Sequence, residues 1–222
     1  MATFTKTAVL LALALAAGDG DARIAAINRL AVEPDERTLA LLQALGNGAV
    51  KVQGEQVLIL AADGSATDAV TGSAVTPDGT GEDAVVNNRM RGALATALAG
   101  RALFGTDEAA QRAAAQLIQR SNFDEPDAAQ LPLIDKALAG NLNDMARADL
   151  QRARAAIQLS SDDEAQRLAA AQALSGARDP SLKPVLERQL QAEQVPAVQA
   201  AIKASLAALD RSLLISSGLS QA

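Results

Sequence analysis

Cysteine, histidine, tryptophan and tyrosine are all absent from this chain of 222 residues. Without cysteine there are no disulfide bonds and no thiolate chemistry. Histidine is the commonest general base and the commonest ligand of catalytic zinc, so its absence argues against both kinds of site. The missing tryptophan and tyrosine remove most stacking platforms for single-stranded nucleic acid. We therefore expect a protein that is not an enzyme, with no catalytic, cofactor-binding or metal-binding residues.

Positive charge is also scarce, because the net charge is −6 at pH 7. Binding to phosphates needs a basic footprint, so a nucleic-acid partner is not expected. No apolar run reaches the roughly 18 residues that span a bilayer. Residues 7–17 are interpreted as a first amphipathic helix, with a short signal-peptide core as the alternative. Residues 18–21 then indicate a helix stop followed by a new N-cap.

What remains is an aliphatic chain: hydrophobic residues make up 49% of it and aromatic residues only 1%. Aromatic side chains supply the largest buried areas in ordinary cores. Here the core must be built from alanine, leucine, valine and isoleucine. Alanine is the best helix former, whereas strands prefer β-branched and aromatic residues. The composition therefore favours many closely packed helices over a sandwich or barrel.

Two helix patterns recur along the chain. In the first, an anchor residue is followed by a small or apolar residue three positions later and by leucine seven positions later, which places the three on one helix face. Its copies are Arg23–Ala26–Leu30, Ala110–Ala113–Leu117, Arg167–Ala170–Leu174 and Gln199–Ile202–Leu206. In the second, an aspartate precedes a proline by five residues, as Asp127–Pro132 and Asp179–Pro184, with Asp35–Ala40 as a variant copy.

These patterns predict a mostly α fold, a HEAT-like α-solenoid of antiparallel helix pairs, forming a single domain over residues 1–222. Proline at the recurring position belongs in the first turn of a helix or at a kink. An extra helix is predicted over residues 143–159. The next helix would begin with a capping box in which Ser161 is the N-cap and Glu164 reaches back.

Residues 46–87 break the helical pattern and are rich in glycine, aspartate, threonine and valine. Residues 50–52, 57–60 and 67–71 look like short strands, and Asp63–Gly64 and residues 76–79 are turn signals. We interpret the segment as a β-hairpin-like insertion in the first repeat, with its strands at about residues 48–75. An insertion in a solenoid tends to lie on one face, often the binding face.

The insertion and the residues after it carry a family resemblance. The segment Thr67-Asp68-Ala69-Val70-Thr71-Gly72 is followed, about fifteen residues later, by Val86-Asn87-Asn88-Arg89-Met90-Arg91 at the start of a helix, and then by alanine-rich helix pairs. This order resembles the N-terminal region of the urea ABC transporter permease of the Urt type, a family that is similar to branched-chain amino-acid permeases. The resemblance covers about residues 18–213.

The resemblance implies a helical-repeat domain that precedes the membrane part of a urea permease. The domain would lie on the extracytoplasmic, periplasmic side of the inner membrane, where the urea substrate-binding protein docks. This chain has no transmembrane segment of its own, so the permease segment would supply the membrane attachment. The resemblance implies no catalytic or ligand residues in this region.

The best candidates for a partner contact are Asn87, Asn88, Arg89 and Arg91. Tandem asparagine before a helix is typical of an N-cap. The two arginines are expected either to anchor the insertion, through carboxylates such as Asp68 or Asp83, or to meet a partner.

Other polar clusters have structural interpretations. Asp162, Asp163 and Glu164 are expected at a helix N-terminus rather than around a cation. Arg147, Arg152 and Arg154 are expected on a solvated helix face, with Asp149 and Arg152 paired, although an anion or partner contact is the alternative. Phe104 and Phe123 are predicted to fill the core.

Two other functions compete with the transporter domain. One is a free-standing HEAT-like adaptor that binds a protein through its concave face. The other is an enzyme, or a component of one, of the HEAT-like bilin lyase type, against which the missing cysteine, histidine, tryptophan and tyrosine argue.

Overall fold

The aliphatic, alanine-rich chain folds into a mostly helical protein with one small antiparallel sheet, as predicted. The structure, a computed structural model, describes residues 20–32, 36–54, 56–77 and 79–218. Within these ranges there are nine α-helices: α1 Gly20–Ala31, α2 Glu36–Gly46, α3 Asn88–Gly100, α4 Glu108–Asp124, α5 Leu131–Leu138, α6 Asp144–Gln158, α7 Glu164–Ala173, α8 Leu182–Ala192 and α9 Pro196–Gly218. The helix predicted over residues 7–17 and the pattern residue Asp35 lie outside the described residues.

The chain divides into two compact units. The first comprises the described residues up to Ala114 together with Pro132–Asn143, and the second comprises Ala115–Leu131 and the described residues from Asp144 onward. Helix α4 therefore contributes its first turns to one unit and the rest to the other. The single domain expected over residues 1–222 stays a prediction.

The core of the first unit is aliphatic. Large side chains of α1, α2 and α3 are almost completely buried, among them Ile27, Leu30, Leu41, Leu42 and Leu94. Helix α3 also comes very close to α5, because a Cβ atom added at Gly100 would lie 2.7 Å from the Leu133 side chain. A residue larger than glycine would displace this buried leucine, and overpacking of this kind is destabilising.

The predicted insertion is a five-stranded antiparallel sheet between α2 and α3. Its strands are β1 Val50–Gln53, β2 Gln56–Leu60, β3 Ala66–Asp68, β4 Ala74–Val75 and β5 Glu82–Asp83, in the order β4-β3-β2-β1-β5. Successive side chains of a strand point to opposite faces. Val57 and Leu58 are both fully buried, so the central strand is covered on both faces.

The third strand is shorter than predicted, since residues 69–71 form a turn. One oxygen of the Asp68 carboxylate accepts hydrogen bonds from the backbone N–H groups of Val70 and Thr71. Gly72 follows at a φ of 72°, a conformation that glycine adopts without strain. The prediction of a strand over residues 67–71 was wrong because the aspartate offers the backbone local partners that compete with a sheet ladder.

The second unit has its own aliphatic core, formed by α6 to α9 and the second part of α4. Phe123 is buried there with 6% of its surface exposed, as predicted for a core aromatic. It packs in one cluster with the buried residues Leu159, Leu174, Leu182, Leu186, Val198, Ile202 and Leu209.

The first repeat pattern holds in three of its four helices. Arg23, Arg167 and Gln199 are each the fourth residue of α1, α7 and α9, and the residue three positions later is buried in each case. In α4 the prediction was wrong by one residue: Ala113 is exposed, whereas Gln111, Ala114 and Ile118 are buried. Alanine occupies positions 113, 114 and 115, so the sequence did not distinguish the two registers.

The second pattern marks helix starts. Asp127 caps a short 3-10 helix, Ala128–Gln130, by accepting a hydrogen bond from the backbone N–H of Ala129. Pro132 and Pro184 then lie in the first turns of α5 and α8, where a missing N–H costs little. The prediction that proline belongs to the helix start is confirmed.

The start of α7 differs from the prediction. The N-cap is Asp163, whose carboxylate accepts hydrogen bonds from the backbone N–H groups of Ala165 and Gln166. Ser161 lies two residues earlier and accepts from the N–H of Asp163, so the expected Ser161–Glu164 capping box was wrong. The interpretation of Asp162, Asp163 and Glu164 as the beginning of a helix is nevertheless confirmed. The extra helix predicted over residues 143–159 is α6.

None of the helices in the described part of the chain combines the length and the apolar character needed to cross a membrane.

Candidate functional site

The four residues predicted as a partner contact lie at the start of α3, directly after the sheet. Asn87 is the N-cap, and its side-chain oxygen accepts a hydrogen bond of 2.9 Å from the backbone N–H of Met90. Asn88 is the first helical residue, and its side-chain oxygen accepts from Arg91. The capping role predicted for this asparagine pair is confirmed at Asn87.

The two arginines do not anchor the sheet in the predicted way. Arg89 forms an ion pair of 3.0 Å with Asp21 of α1. Asp68 instead bonds its own turn, and Asp83 pairs with Lys51 at 3.5 Å. Both partners in the Arg89–Asp21 pair are largely exposed, so the pair contributes at most about 1 kcal/mol to stability. The start of α3 therefore presents exposed, positively charged side chains to the solvent.

Replacing Asn87 with alanine is expected to lower the free energy of unfolding by about 1 kcal/mol, because it removes the acceptor that caps α3. Asn88→Ala is the matched control and is expected to change it by less than about 0.5 kcal/mol, since Asn88 is exposed and its contact with Arg91 is local. Chemical denaturation followed by circular dichroism measures both. Equal effects of the two substitutions would contradict the assignment of the cap.

A buried ion pair that the sequence did not reveal links two helices of the second unit. Nε of Arg167 in α7 donates to the Glu193 carboxylate at 2.7 Å, and Nη1 donates to the carbonyl of Ser161 at 2.8 Å. Glu193 follows α8 and also accepts from the backbone N–H groups of Gln194 and Val195. Because Arg167 and these amides favour the ionised form, the pKa of Glu193 lies below its ordinary value.

The arginines of α6 have mainly structural partners. Arg152 forms the predicted ion pair with Asp149, and its Nε atom lies 3.9 Å from the Asp179 carboxylate. Asp149 is buried, so this part of the helix is not the solvated face that was expected. Burial alone would raise the pKa of Asp179, but hydrogen bonds from Ser181 and Gln119 and the charge of Arg152 lower it overall.

A cleft of about 460 Å³ opens in the first unit and was not predicted. It lies between the end of the 3-10 helix Arg101–Phe104, the first turns of α4 and residues 140–143. Its wall is apolar at Leu103, Phe104 and Leu142 and polar at Thr106, Glu108 and Asn141. The volume falls in the range of about 300–1,000 Å³ that is typical of ligand sites.

Gln111 holds both sides of this cleft in place. The side chain is 3% exposed, and its Nε2 atom donates to the carbonyls of Gly105, at 2.8 Å, and Asn141, at 3.0 Å. Its oxygen accepts from the backbone N–H and the side-chain amide of Asn143, at 3.1 and 3.2 Å. All four hydrogen-bonding positions of the glutamine amide are therefore occupied. The cleft has a fixed floor rather than one assembled from loose loops.

Phe104 lies at the rim of the cleft and is 45% exposed, so the prediction that it fills the core was wrong. It ends the 3-10 helix, and the buried position there is taken by its neighbour Leu103, which is 2% exposed. The ammonium group of Lys136 lies 5.3 Å from the centre of the Phe104 ring. The same ammonium donates to the carbonyl of Val32 at 2.6 Å, so it is fixed in that position.

Among the described residues, no group of three or more acidic side chains converges in a way that would hold a metal ion. Comparison with protein-family models, with curated proteins and with solved structures gives no match for this chain. The function is therefore argued from the geometry of the two surfaces described above.

Proposed function

We propose that this chain is a HEAT-like helical-repeat module that docks a protein partner, acting as the extracytoplasmic accessory domain of a urea ABC transporter permease. The observation that carries the helical-repeat assignment is a contact that recurs in three helices. The fourth residue of α4, α7 and α9 (Gln111, Arg167 and Gln199) donates a hydrogen bond to the carbonyl six residues earlier. The distances are 2.8, 2.8 and 2.7 Å.

Each of these contacts fastens the segment before a helix onto its second turn. In α4 and α7 the same side chain also reaches the loop after the next helix, at Asn141 and at Glu193 respectively. Repeated local interactions of one kind are what a stack of similar helix pairs requires, since each pair buries its apolar stripe only against its neighbours. This supports a repeat architecture with a rigid surface, as a docking module needs.

The proposed docking surface is the start of α3, with Arg89 and Arg91 as its contact residues. Both side chains are exposed and positively charged, and the insertion precedes them directly in the chain. Exposed charges of this kind steer the approach of an oppositely charged partner. The partner proposed here is the urea substrate-binding protein, and the assignment of urea uptake depends on the family resemblance alone.

The docking surface is tested by titrating the chain with the urea-binding protein of the same genome and measuring the dissociation constant by calorimetry. We expect binding at micromolar concentration, weakened about tenfold or more by Arg89→Glu with Arg91→Glu, because rim charges of like sign repel. Arg120→Glu, at an exposed arginine of α4, is the matched control and is expected to have little effect. Absence of binding at high micromolar concentration would contradict docking of this partner.

The permease assignment has a separate test in the gene. Nucleotide sequence beyond the codon for Ala222 that encodes several apolar stretches of about 20 residues would support a permease domain. A stop codon directly after that position would contradict it and transfer the docking function to a free-standing adaptor.

A further inference from the structure

We propose that the cleft beside α4 is a binding site for a guanidinium group carried on a short apolar stem, the chemistry of an arginine side chain. The proposal does not depend on the docking function proposed above, because it concerns a different surface. It follows from the charge, the apolar wall and the rigidity of the cleft.

The charge at the cleft is negative. Glu108 lines it with an exposed carboxylate, and the adjacent Asp107 uses its carboxylate to cap α4 through the N–H groups of Ala109 and Ala110. Two formal negative charges outweigh the positive end of the helix dipole, which corresponds to about half a charge. Lys136 is the nearby cation, and it is directed to the Val32 carbonyl and the Phe104 ring. A positively charged ligand therefore complements this cleft.

The apolar wall selects the shape of the ligand. Phe104 exposes nearly half of its surface at the rim, and its ring already accepts one cation, the ammonium of Lys136. A guanidinium group is planar and weakly hydrated, stacks on aromatic rings, and pairs with a carboxylate through two parallel N–H···O bonds. Leu103 and Leu142 provide apolar surface for the methylene stem. An ammonium group would use the charge of Glu108 but not the planar geometry.

The remaining polar side chains suit the same group. Thr106 and Asn141 are exposed in the cleft and carry oxygen atoms that accept hydrogen bonds. A guanidinium has five N–H donors, more than one carboxylate satisfies. Gln111 keeps these acceptors at fixed positions, because its four hydrogen bonds join the two loops that carry them.

The test uses the whole chain labelled with ¹⁵N and two matched probes, N-acetyl-arginine methylamide and its neutral isostere N-acetyl-citrulline methylamide. We expect the arginine probe to shift the amide signals of residues 103–108 and 140–143, with a dissociation constant of about 1 mM, the order expected for a ligand of this size. The citrulline probe is expected to bind at least about tenfold more weakly, because it lacks the charge that pairs with Glu108.

Two variants assign the contact residues. Glu108→Gln is expected to reduce the affinity for the arginine probe to that for citrulline, and Phe104→Leu is expected to reduce it about threefold by removing the ring. Glu164→Gln is the matched control, because Glu164 is the first residue of α7, follows an aspartate N-cap and is exposed, as Glu108 is in α4. This control is expected to bind the probe as the unmodified chain does.

Three results would overturn the proposal: equal affinity for the two probes, an unchanged affinity in Glu108→Gln, or signal shifts confined to residues outside the cleft. Equal affinity for N-acetyl-lysine methylamide would overturn the assignment of guanidinium over ammonium. A peptide with one central arginine distinguishes the two sources of the group. Tighter binding of the peptide than of the single-residue probe assigns the site to an arginine of a protein partner, and equal binding assigns it to a small molecule.

Discussion

Replacing Glu193 with alanine is expected to lower the free energy of unfolding by about 3 kcal/mol, because it leaves the Arg167 guanidinium without its buried partner. Glu193 is 4% exposed and accepts hydrogen bonds from Arg167, Gln194 and Val195. The Arg167 side chain is 15% exposed and keeps its bond to the Ser161 carbonyl, so we expect the lower end of the range for broken buried pairs. Chemical denaturation followed by circular dichroism gives the value.

The control for this substitution is Glu187→Ala, at an exposed glutamate of α8, with an expected change of less than about 0.5 kcal/mol. Acid provides a second check on the same residue. Because the folded pKa of Glu193 is lowered, its contribution is fully present above the unfolded pKa, for which the ordinary value is 4.5. The contribution is lost as the pH falls through the lower folded pKa. The stability difference between the unmodified chain and Glu193→Gln should therefore shrink over that interval, and a constant difference would contradict the lowered pKa.

Replacing Gln111 with alanine is expected to lower the free energy of unfolding by about 2–3 kcal/mol. The substitution removes four hydrogen bonds, each contributing about 1 kcal/mol net, and leaves the amide of Asn143 without its acceptor. Gly105 and Asn141 are exposed, so water can bind their carbonyls and limit the loss. We therefore expect less than the sum of the four bonds.

Hydrogen exchange gives this prediction a local measurement. The Asn143 backbone amide is expected to exchange at least about tenfold faster in Gln111→Ala, because its protecting acceptor is gone. Gln43→Ala, at an exposed glutamine of α2, is the matched control and should leave both stability and exchange nearly unchanged. An unchanged exchange rate at Asn143 would show that Gln111 does not hold residues 140–143.

Among the sequence-based predictions, those that depended on nearby residues were confirmed most often. The aliphatic helical class, the sheet insertion, the Asn87 cap and the first-turn prolines Pro132 and Pro184 all follow from periodicity, propensity or capping within a few positions. Local reasoning was wrong where two local solutions compete. Asp68 formed a turn instead of extending a strand, and the run of alanines at 113–115 hid the register of α4.

The candidate site was predicted only in part. The start of α3 was chosen from its asparagine and arginine residues, but the partner of Arg89 is Asp21, which lies 68 residues earlier. The cleft was not predicted at all, because its walls come from residues 103–111 and 140–143. A signal for Gln111 existed in the sequence, since it shares the fourth helix position with Arg167 and Gln199.

The sequence by itself determined the absence of cysteine and histidine chemistry, the aliphatic core and the positions of most helices and turns. Only the tertiary structure decided which polar side chains pair, since Arg167 and Glu193 are 26 residues apart and Gln111 and Asn143 are 32 apart. It also decided that Phe104 is exposed while Leu103 is buried. The physical reason is that capping and periodicity act within one or two turns of the chain, whereas burial and ion pairing depend on which segments the folded core brings together.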